Sequence, residues 1–168
     1  MTICSEIEKF QTLIVGLLGF VGVIGTLWIN AKLARQQRRD ELAHERDTLR
    51  TALIEELRIN RHSLRENIAS LKEPMPDGRG SVLVPTDPMD GAYRTFLARI
   101  GILSRSEVHK VMNAYLLLQT YYGSLFIISV PVQTSDCSVN VPAENVHLLI
   151  GMQERLIEPI DEAIAALE

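Results

Sequence analysis

The pattern of apolar and polar positions begins with an uncharged block at residues 10–30, "FQTLIVGLLGFVGVIGTLWIN". From Thr12 to Ile29 it offers about 18 uncharged residues, which as a helix cover about 27 Å of a ~30 Å hydrocarbon core. Trp28 lies near one end, where an indole is favoured at the headgroup level. The preceding stretch is acidic rather than basic, which is atypical of a signal peptide. The block therefore predicts a retained transmembrane helix, with a buried core helix as the alternative.

Glycine recurs at every third position through this block, at Gly16, Gly19, Gly22 and Gly25. Each step turns the helix by about 300°, so the row drifts by about 60° per glycine and winds across half the circumference. Small residues let membrane helices approach closely, so the row predicts self-association with more than one neighbouring helix. The alternative is that glycine is simply frequent in membrane helices.

The next segment, residues 31–73, contains neither Gly nor Pro and is rich in helix formers. It predicts one long helix that continues from the membrane. Its apolar residues recur with an average spacing near 3.6, which is typical of a straight packed helix. Half of residues 31–48 are charged, which predicts a solvated stalk. The apolar positions are Leu42, Leu49, Leu53, Leu57, Leu64, Ile68 and Leu71.

Pro and Gly interrupt the helical pattern over residues 74–91, which predicts a loop region. Within it, "SVLVP" at 81–85 recurs as "SVNVP" at 138–142. Short β-branched runs that end in proline favour two brief strands, and the repeat suggests that they pair with each other. Coincidence is the alternative, because matches this short arise often by chance.

Helix start signals follow the first of these runs. Asp87 and Pro88 predict an N-cap and first helical position for a short helix that ends at Gly101. Ser104 and Glu107 form an S-x-x-E capping box, which predicts the start of a longer amphipathic helix. The apolar face of that helix is expected to comprise Val108, Val111, Met112, Tyr115, Leu118, Tyr122, Leu125 and Phe126.

The last helix is predicted over roughly residues 143–168, with a kink at Pro159. Its inward positions are Val146, Leu149, Ile150, Gln153, Leu156, Ile157, Ile160 and Ile164.

A second membrane crossing is an open alternative for residues 111–132, because no charged residue occurs from 111 to 135. Asn113, Gln119 and a clear polar stripe favour a soluble helix instead, since a true span tends to be apolar all round. The two interpretations predict different classes of protein. With a second span, the chain would be a two-pass component such as a small pore or a transporter accessory subunit.

Charge is unevenly distributed around the uncharged block, although the net charge is only −4. Lys32, Arg35, Arg38 and Arg39 follow the block closely, and only Lys9 precedes it. The positive-inside rule then predicts an N-terminus outside and a cytoplasmic C-terminal part in the inner or plasma membrane. The basic flank is expected to rest on the lipid surface. The acidic balance elsewhere argues against nucleic-acid binding.

Candidate chemistry is sparse. Two E-x-x-H triplets, Glu41 to His44 and Glu144 to His147, have the spacing of di-iron carboxylate ligands. At about 100° per residue all four side chains fall away from the apolar stripes, whereas a bundle-core metal needs inward ligands. Other catalytic motifs do not occur. The two cysteines lie on either side of the uncharged block at residues 10–30 and imply no disulfide. We expect no enzyme activity, metal or cofactor.

Together these patterns predict an all-α fold: a single N-terminal transmembrane helix that continues into a helical hairpin or small helical bundle, with a short two-stranded β-ribbon. The expected function is a self-associating, membrane-anchored scaffold that holds an unknown protein partner at the cytoplasmic face. The predicted parts are a short outer N-terminus (1–9), the span (10–30), the stalk (31–48) and a cytoplasmic helical domain (49–168).

Overall fold

The computed structural model describes residues 3–73, 80–86, 89–131 and 138–168, with side chains from residue 19 onward except at Pro131. The fold is mostly helical, as the sequence predicts. The elements in chain order are α1 (Ile3–Lys72), β1 (Ser81–Pro85), α2 (Gly91–Phe96), a 3₁₀ helix (Leu97–Ile102), α3 (Arg105–Ile128), β2 (Val130–Pro131), β3 (Ser138–Pro142), a 3₁₀ turn (Ala143–Asn145) and α4 (Val146–Leu167).

The chain divides into two compact units, Met1–Glu45 and Arg46–Glu168. In the first unit, the described residues belong to the N-terminal part of α1. The long helix predicted over 31–73 is confirmed, because α1 continues without a break to Lys72. The absence of Gly and Pro over this stretch leaves the backbone hydrogen-bond ladder uninterrupted.

The second unit is a bundle in which the later part of α1 runs parallel to α3. Arg46 contacts Glu107, and Glu56 contacts Tyr115 further along both helices. Because the paired residue numbers increase together, the two helices point the same way. A parallel pair of helices needs a long connection that returns from the end of the first to the start of the second.

That connection is formed by β1, α2 and the 3₁₀ helix, and it passes back along α1. The side-chain amide of Asn60 donates to the carbonyl of Met89 (2.7 Å), and the carboxylate of Glu56 accepts from the backbone N–H groups of Ala92 and Tyr93. These contacts attach the N-terminus of α2 to α1. The crossover is therefore held against α1 at a point that precedes α3 in the sequence.

The fourth helix, α4, runs antiparallel to α3. Lys110 near the start of α3 pairs with Glu162 late in α4, and Tyr121 later in α3 accepts a hydrogen bond from Gln153 early in α4. The largest side chains of the core come from α1, α3 and α4. The fully buried ones include Leu49, Leu53, Leu57, Tyr115, Leu118, Leu125, Leu149 and Ile160.

The predicted inner face of α3 is partly wrong. Met112 and Phe126 are 47% and 61% exposed, whereas Ala114 and Tyr121 are buried. The buried face is rotated by roughly 60° from the one that the apolar residues mark. The rotation follows from packing, because α3 contacts both α1 and α4 and a small Ala allows close approach. On α1, the predicted apolar position Leu42 is also exposed.

The two S-V-x-V-P segments pair with each other in an antiparallel register, which confirms the predicted ribbon. Ser81 lies opposite Pro142, and Val84 lies opposite Val139. The two-residue strand β2 adds to the other edge of β3, giving the order β1-β3-β2, and the sequence pattern did not predict it. Prolines end the paired strands, where the missing N–H does not interrupt the ladder.

The helix starts are confirmed in part. Ser104 and Glu107 form the predicted capping box at the start of α3. Asp87 and Pro88 lie outside the described residues, and α2 begins later than predicted, at Gly91. The short helix also does not continue as an α-helix to Gly101, since it tightens into a 3₁₀ helix from Leu97. Pro159 lies inside α4, which continues to Leu167.

Candidate functional site

The most unusual surface of the described chain is the part of α1 that carries the end of the uncharged block. Its apolar side chains are exposed, with Phe20 at 65% and Trp28 at 68%. At about 100° per residue, Phe20 and Ile29 lie on opposite sides of the helix. The exposed apolar surface therefore surrounds the helix and is not a single stripe. Its members also include Val21, Val23, Ile24 and Leu27.

The described glycines of the row, Gly19, Gly22 and Gly25, are open to their surroundings. Apart from the adjacent residues and the backbone of the same helix turn, a Cβ atom placed at any of them would meet no atom within 4 Å. The hydroxyl of Thr26 donates to the carbonyl of Gly22, so this polar group is satisfied within the helix. The surroundings of Gly16 lie outside the described residues. Three uncovered glycines leave room for another helix to approach the backbone.

A line of aromatic and basic side chains follows this surface, here called the Trp28–Arg39 stripe. Trp28, Lys32, Arg35 and Arg39 are spaced by 4, 3 and 4 residues, so they share one face within about 60°. They line one surface groove, whose far end holds Asp40. The ammonium of Lys32 lies 5.8 Å from the centroid of the Trp28 ring, within the range of a cation–π contact.

Arg38 does not belong to the stripe, because it lies about 90° from the stripe's centre. From sequence, Arg38 belongs with Lys32, Arg35 and Arg39 to one basic flank, and Trp28 is not connected to them. The spacing of 4, 3 and 4 is visible in the sequence once a continuous helix is accepted. It is the signal that could have separated the four residues from Arg38.

The basic groups of this flank differ from most of those in the second unit. In the second unit, ion pairs involve Arg46, Arg50, Arg58, Arg61, Arg65, Lys72, Arg94 and Lys110. Lys32, Arg35, Arg38 and Arg39 are exposed, and none of the ion pairs among the described residues involves them. The positive charge of the flank is therefore available to an external anion.

A buried carboxylate joins the start of α3 to α1. Glu107 is 3% exposed and accepts hydrogen bonds from Arg46 and Arg50, with its Oε2 atom 2.8 Å from Arg46. It also closes the capping box with Ser104. Burial raises its pKa, but the bonds from Ser104, Arg46 and Arg50 outweigh burial and lower the pKa to about 2. The sequence predicted the cap and missed the arginines, which are distant along the chain.

A second carboxylate is saturated by donors from the crossover and α3. Glu56 accepts from the backbone of Ala92 and Tyr93 and from the hydroxyl of Tyr115 at 2.5 Å. The rings of Tyr93 and Tyr115 stack with their centroids 4.0 Å apart. Burial and the neighbouring carboxylate raise the pKa of Tyr115 well above its usual value. Through these contacts Glu56 joins α1 to α2 and α3.

A small pocket of about 150 Å³, open to solvent on one side, lies between α1, β1 and α4. Gln153, 1% exposed, lines it and donates to the Tyr121 hydroxyl at 2.8 Å, while its Oε1 atom has no partner among the described residues. Burial raises the pKa of Tyr121 to about 12.

Neither E-x-x-H triplet lies on a packed helix face. Glu41, His44, Glu144 and His147 are all exposed, which confirms that they lie off the packed faces. Within the described ranges, no group of three or more His, Cys, Asp or Glu side chains is placed to hold a metal ion.

One helix of the described part of the chain, α3, is long and apolar enough to cross a membrane, and a third of its most apolar window is buried in the bundle. Comparison with known family models, curated proteins and solved structures gives no match.

Proposed function

We propose that this protein is a membrane-anchored scaffold without catalytic activity. In this proposal residues 10–30 span the bilayer and self-associate, and the helical unit from Arg46 onward holds a protein partner at the cytoplasmic face. The observation that carries the proposal is the exposed apolar surface that surrounds α1 between Phe20 and Ile29.

The energetic cost of that surface in water supports a bilayer as its environment. Removing one large apolar side chain from water is worth about 1.5–3 kcal/mol, so the exposed stretch as a whole represents roughly 10 kcal/mol or more. Burial on one side by a single soluble partner would leave the opposite side in water. Lipid covers a helix on all sides, and a helix satisfies its own backbone hydrogen bonds there.

The charges that flank the span support the orientation. Lys32, Arg35, Arg38 and Arg39 follow it, and a cytoplasmic position of these residues satisfies the positive-inside rule. The open surfaces of Gly19, Gly22 and Gly25 support self-association within the bilayer, because close backbone approach is what small residues permit.

The absence of a catalytic role is supported by the hydrogen bonds of two acids, the buried Glu107 and the half-buried Glu56. Glu107 is bonded to two guanidinium groups, and Glu56 to three donors, so both carboxylates are occupied within the fold. A catalytic site needs a free acid or base that faces a pocket.

The alternative is a two-pass membrane component in which α3 is a second span, and the length and hydropathy of α3 favour it. Crossing would take Glu107, with its two arginine partners, away from α1 and expose Tyr115 and Tyr121 to lipid or water. These contacts favour the single span, in which α3 belongs to the bundle.

Membrane extraction tests the anchor. The full chain is expected to resist carbonate extraction, whereas the Val23→Arg/Leu27→Arg variant should be released, since one Arg at the centre of a span costs about 2.5–3.5 kcal/mol. The matched control is Leu33→Arg/Leu42→Arg, which adds the same two charges to exposed positions of α1 beyond the predicted span. Equal behaviour of the two variants would contradict the proposed anchor.

A further inference from the structure

We propose that the Trp28–Arg39 stripe binds the phosphate group of an anionic phospholipid in the cytoplasmic leaflet. This site rests on the proposed function, because it requires α1 to cross the bilayer with Trp28 near the headgroups. It adds a specific ligand to the anchor, namely a lipid with a net negative headgroup.

The helix places the basic groups at suitable depths. With a rise of about 1.5 Å per residue, Lys32 lies about 6 Å and Arg35 about 10 Å beyond Trp28 along the axis. The headgroup layer of one leaflet is about 5–8 Å thick. Side chains of a helix lean toward its N-terminus, which here means toward the bilayer. Lys32 and Arg35 therefore reach the headgroup layer, and Arg39, about 16 Å beyond Trp28, reaches its outer edge.

The chemistry of the stripe matches a phosphate monoanion. The planar fork of Arg35 can donate two parallel hydrogen bonds to phosphate oxygens, and Lys32 adds a compact charge. The contact between Lys32 and the Trp28 ring holds that ammonium at the level of the indole. Because the charged groups of the stripe have no carboxylate partner among the described residues, binding a lipid does not require an internal ion pair to break.

The position of the stripe favours a lipid over a soluble phosphate. The residues line an open groove on one face of α1 rather than an enclosed pocket, so a free ion would remain hydrated on its outer side. A lipid phosphate is held at this depth by its own acyl chains. Each basic residue close to an anionic membrane surface strengthens binding by about fivefold.

The protein contains one tryptophan, Trp28, which reports directly on the lipids beside the stripe. The full chain would be reconstituted in phosphatidylcholine vesicles that contain an equal fraction of either brominated phosphatidylcholine or brominated phosphatidylglycerol. Bromine quenches the indole over short distances. We expect the anionic lipid to quench more strongly than its fraction in the vesicle explains.

Two single substitutions separate a site from a general surface charge. Arg35→Gln and Arg38→Gln each remove one positive charge. The two positions are three residues apart, but only Arg35 lies on the stripe. We expect Arg35→Gln to lower the preference for the anionic lipid by about fivefold, and Arg38→Gln to leave it nearly unchanged. Arg39→Gln should have a larger effect than Arg38→Gln, although Arg39 lies further from the bilayer. Equal losses at Arg35 and Arg38 would overturn the site.

The other outcomes are distinguishable. Equal quenching by the two brominated lipids would overturn the lipid site and leave the membrane anchor standing. No quenching by either lipid would overturn the anchor and the site together. Loss of the anionic preference on adding inorganic phosphate would overturn the assignment to lipid, because it would identify the free ion as the ligand.

Discussion

Arg50 of α1 donates through Nε and a terminal nitrogen to the same oxygen of Glu107, at the first turn of α3. The two residues are separated by more than 50 positions in the sequence, and their contact fixes the start of α3 beside α1. Arg46 adds a second guanidinium one turn earlier. The parallel arrangement of α1 and α3 depends on this contact and on the crossover attached at Glu56.

Stability should depend on the ionised form of Glu107. Its pKa in the fold, about 2, lies below its ordinary value of 4.5, so its contribution is fully present above pH 4.5 and is lost as the pH falls toward 2. The shift corresponds to about 3 kcal/mol. Denaturant unfolding between pH 7 and pH 2 should show this loss in the wild-type chain. Glu107→Gln should be less stable at pH 7, and its free energy of unfolding should fall less than that of the wild type as the pH is lowered. The same pH dependence in the variant and the wild type would contradict the account.

The hydroxyl of Tyr115 should matter more than that of Tyr93, although the two rings stack on each other. Tyr115→Phe removes a buried hydrogen bond to Glu56 and is expected to lower the free energy of unfolding by about 1–3 kcal/mol. Tyr93→Phe is the matched control, since the Tyr93 hydroxyl has no partner among the described residues. Urea unfolding of both variants would measure the difference. Similar losses in the two would contradict the role of Glu56 as an acceptor.

The paired strands should tolerate change on one face only. Val141 is fully buried and Leu83 is 61% exposed in the same sheet. Val141→Ala is expected to destabilise the fold by about 1–2 kcal/mol through the cavity it leaves, and Leu83→Ala by less than about 0.5 kcal/mol. Thermal unfolding monitored by circular dichroism would give both values. The reverse order would mean that the observed register is wrong.

Self-association should depend on the glycine row. Gly19→Leu/Gly22→Leu fills the open surface with two large side chains and is expected to weaken oligomers in detergent. The control Val21→Leu/Val23→Leu enlarges neighbouring side chains without changing a glycine. Chemical crosslinking and sedimentation would detect the shift. An unchanged oligomer distribution in the glycine variant would contradict an interface at this row.

The fold could be predicted from the sequence where the signal is local. The capping box at Ser104 and the pairing of the two S-V-x-V-P segments follow from short motifs. The buried face of α3 could not be predicted in full, because apolar character marks Met112 and Phe126 while packing between two helices selects Ala114 and Tyr121. The size of side chain that fits at a helix crossing depends on the residues of the opposing helix. Those residues cannot be identified from the sequence of α3 alone.

The candidate site, too, could be predicted from the sequence only in part. Lys32, Arg35, Arg38 and Arg39 are recognisable as a basic flank from composition alone. Their separation into a stripe and an outlying Arg38 needs the phase of a continuous helix. The partners of Glu107 and Glu56 could not be predicted, since contacts between distant segments depend on the crossover that returns the chain along α1.

The most direct test of the single membrane span uses the two cysteines, Cys4 and Cys137, which flank the proposed span in the sequence. Single-cysteine variants Cys4→Ser and Cys137→Ser would be treated in intact cells with a membrane-impermeant maleimide, with a denatured, detergent-solubilised sample to confirm that each thiol can react. The account predicts labelling of Cys4 in intact cells and labelling of Cys137 only after solubilisation. Labelling of Cys137 in intact cells would contradict it: labelling of both cysteines would indicate two crossings, and labelling of Cys137 alone would reverse the orientation.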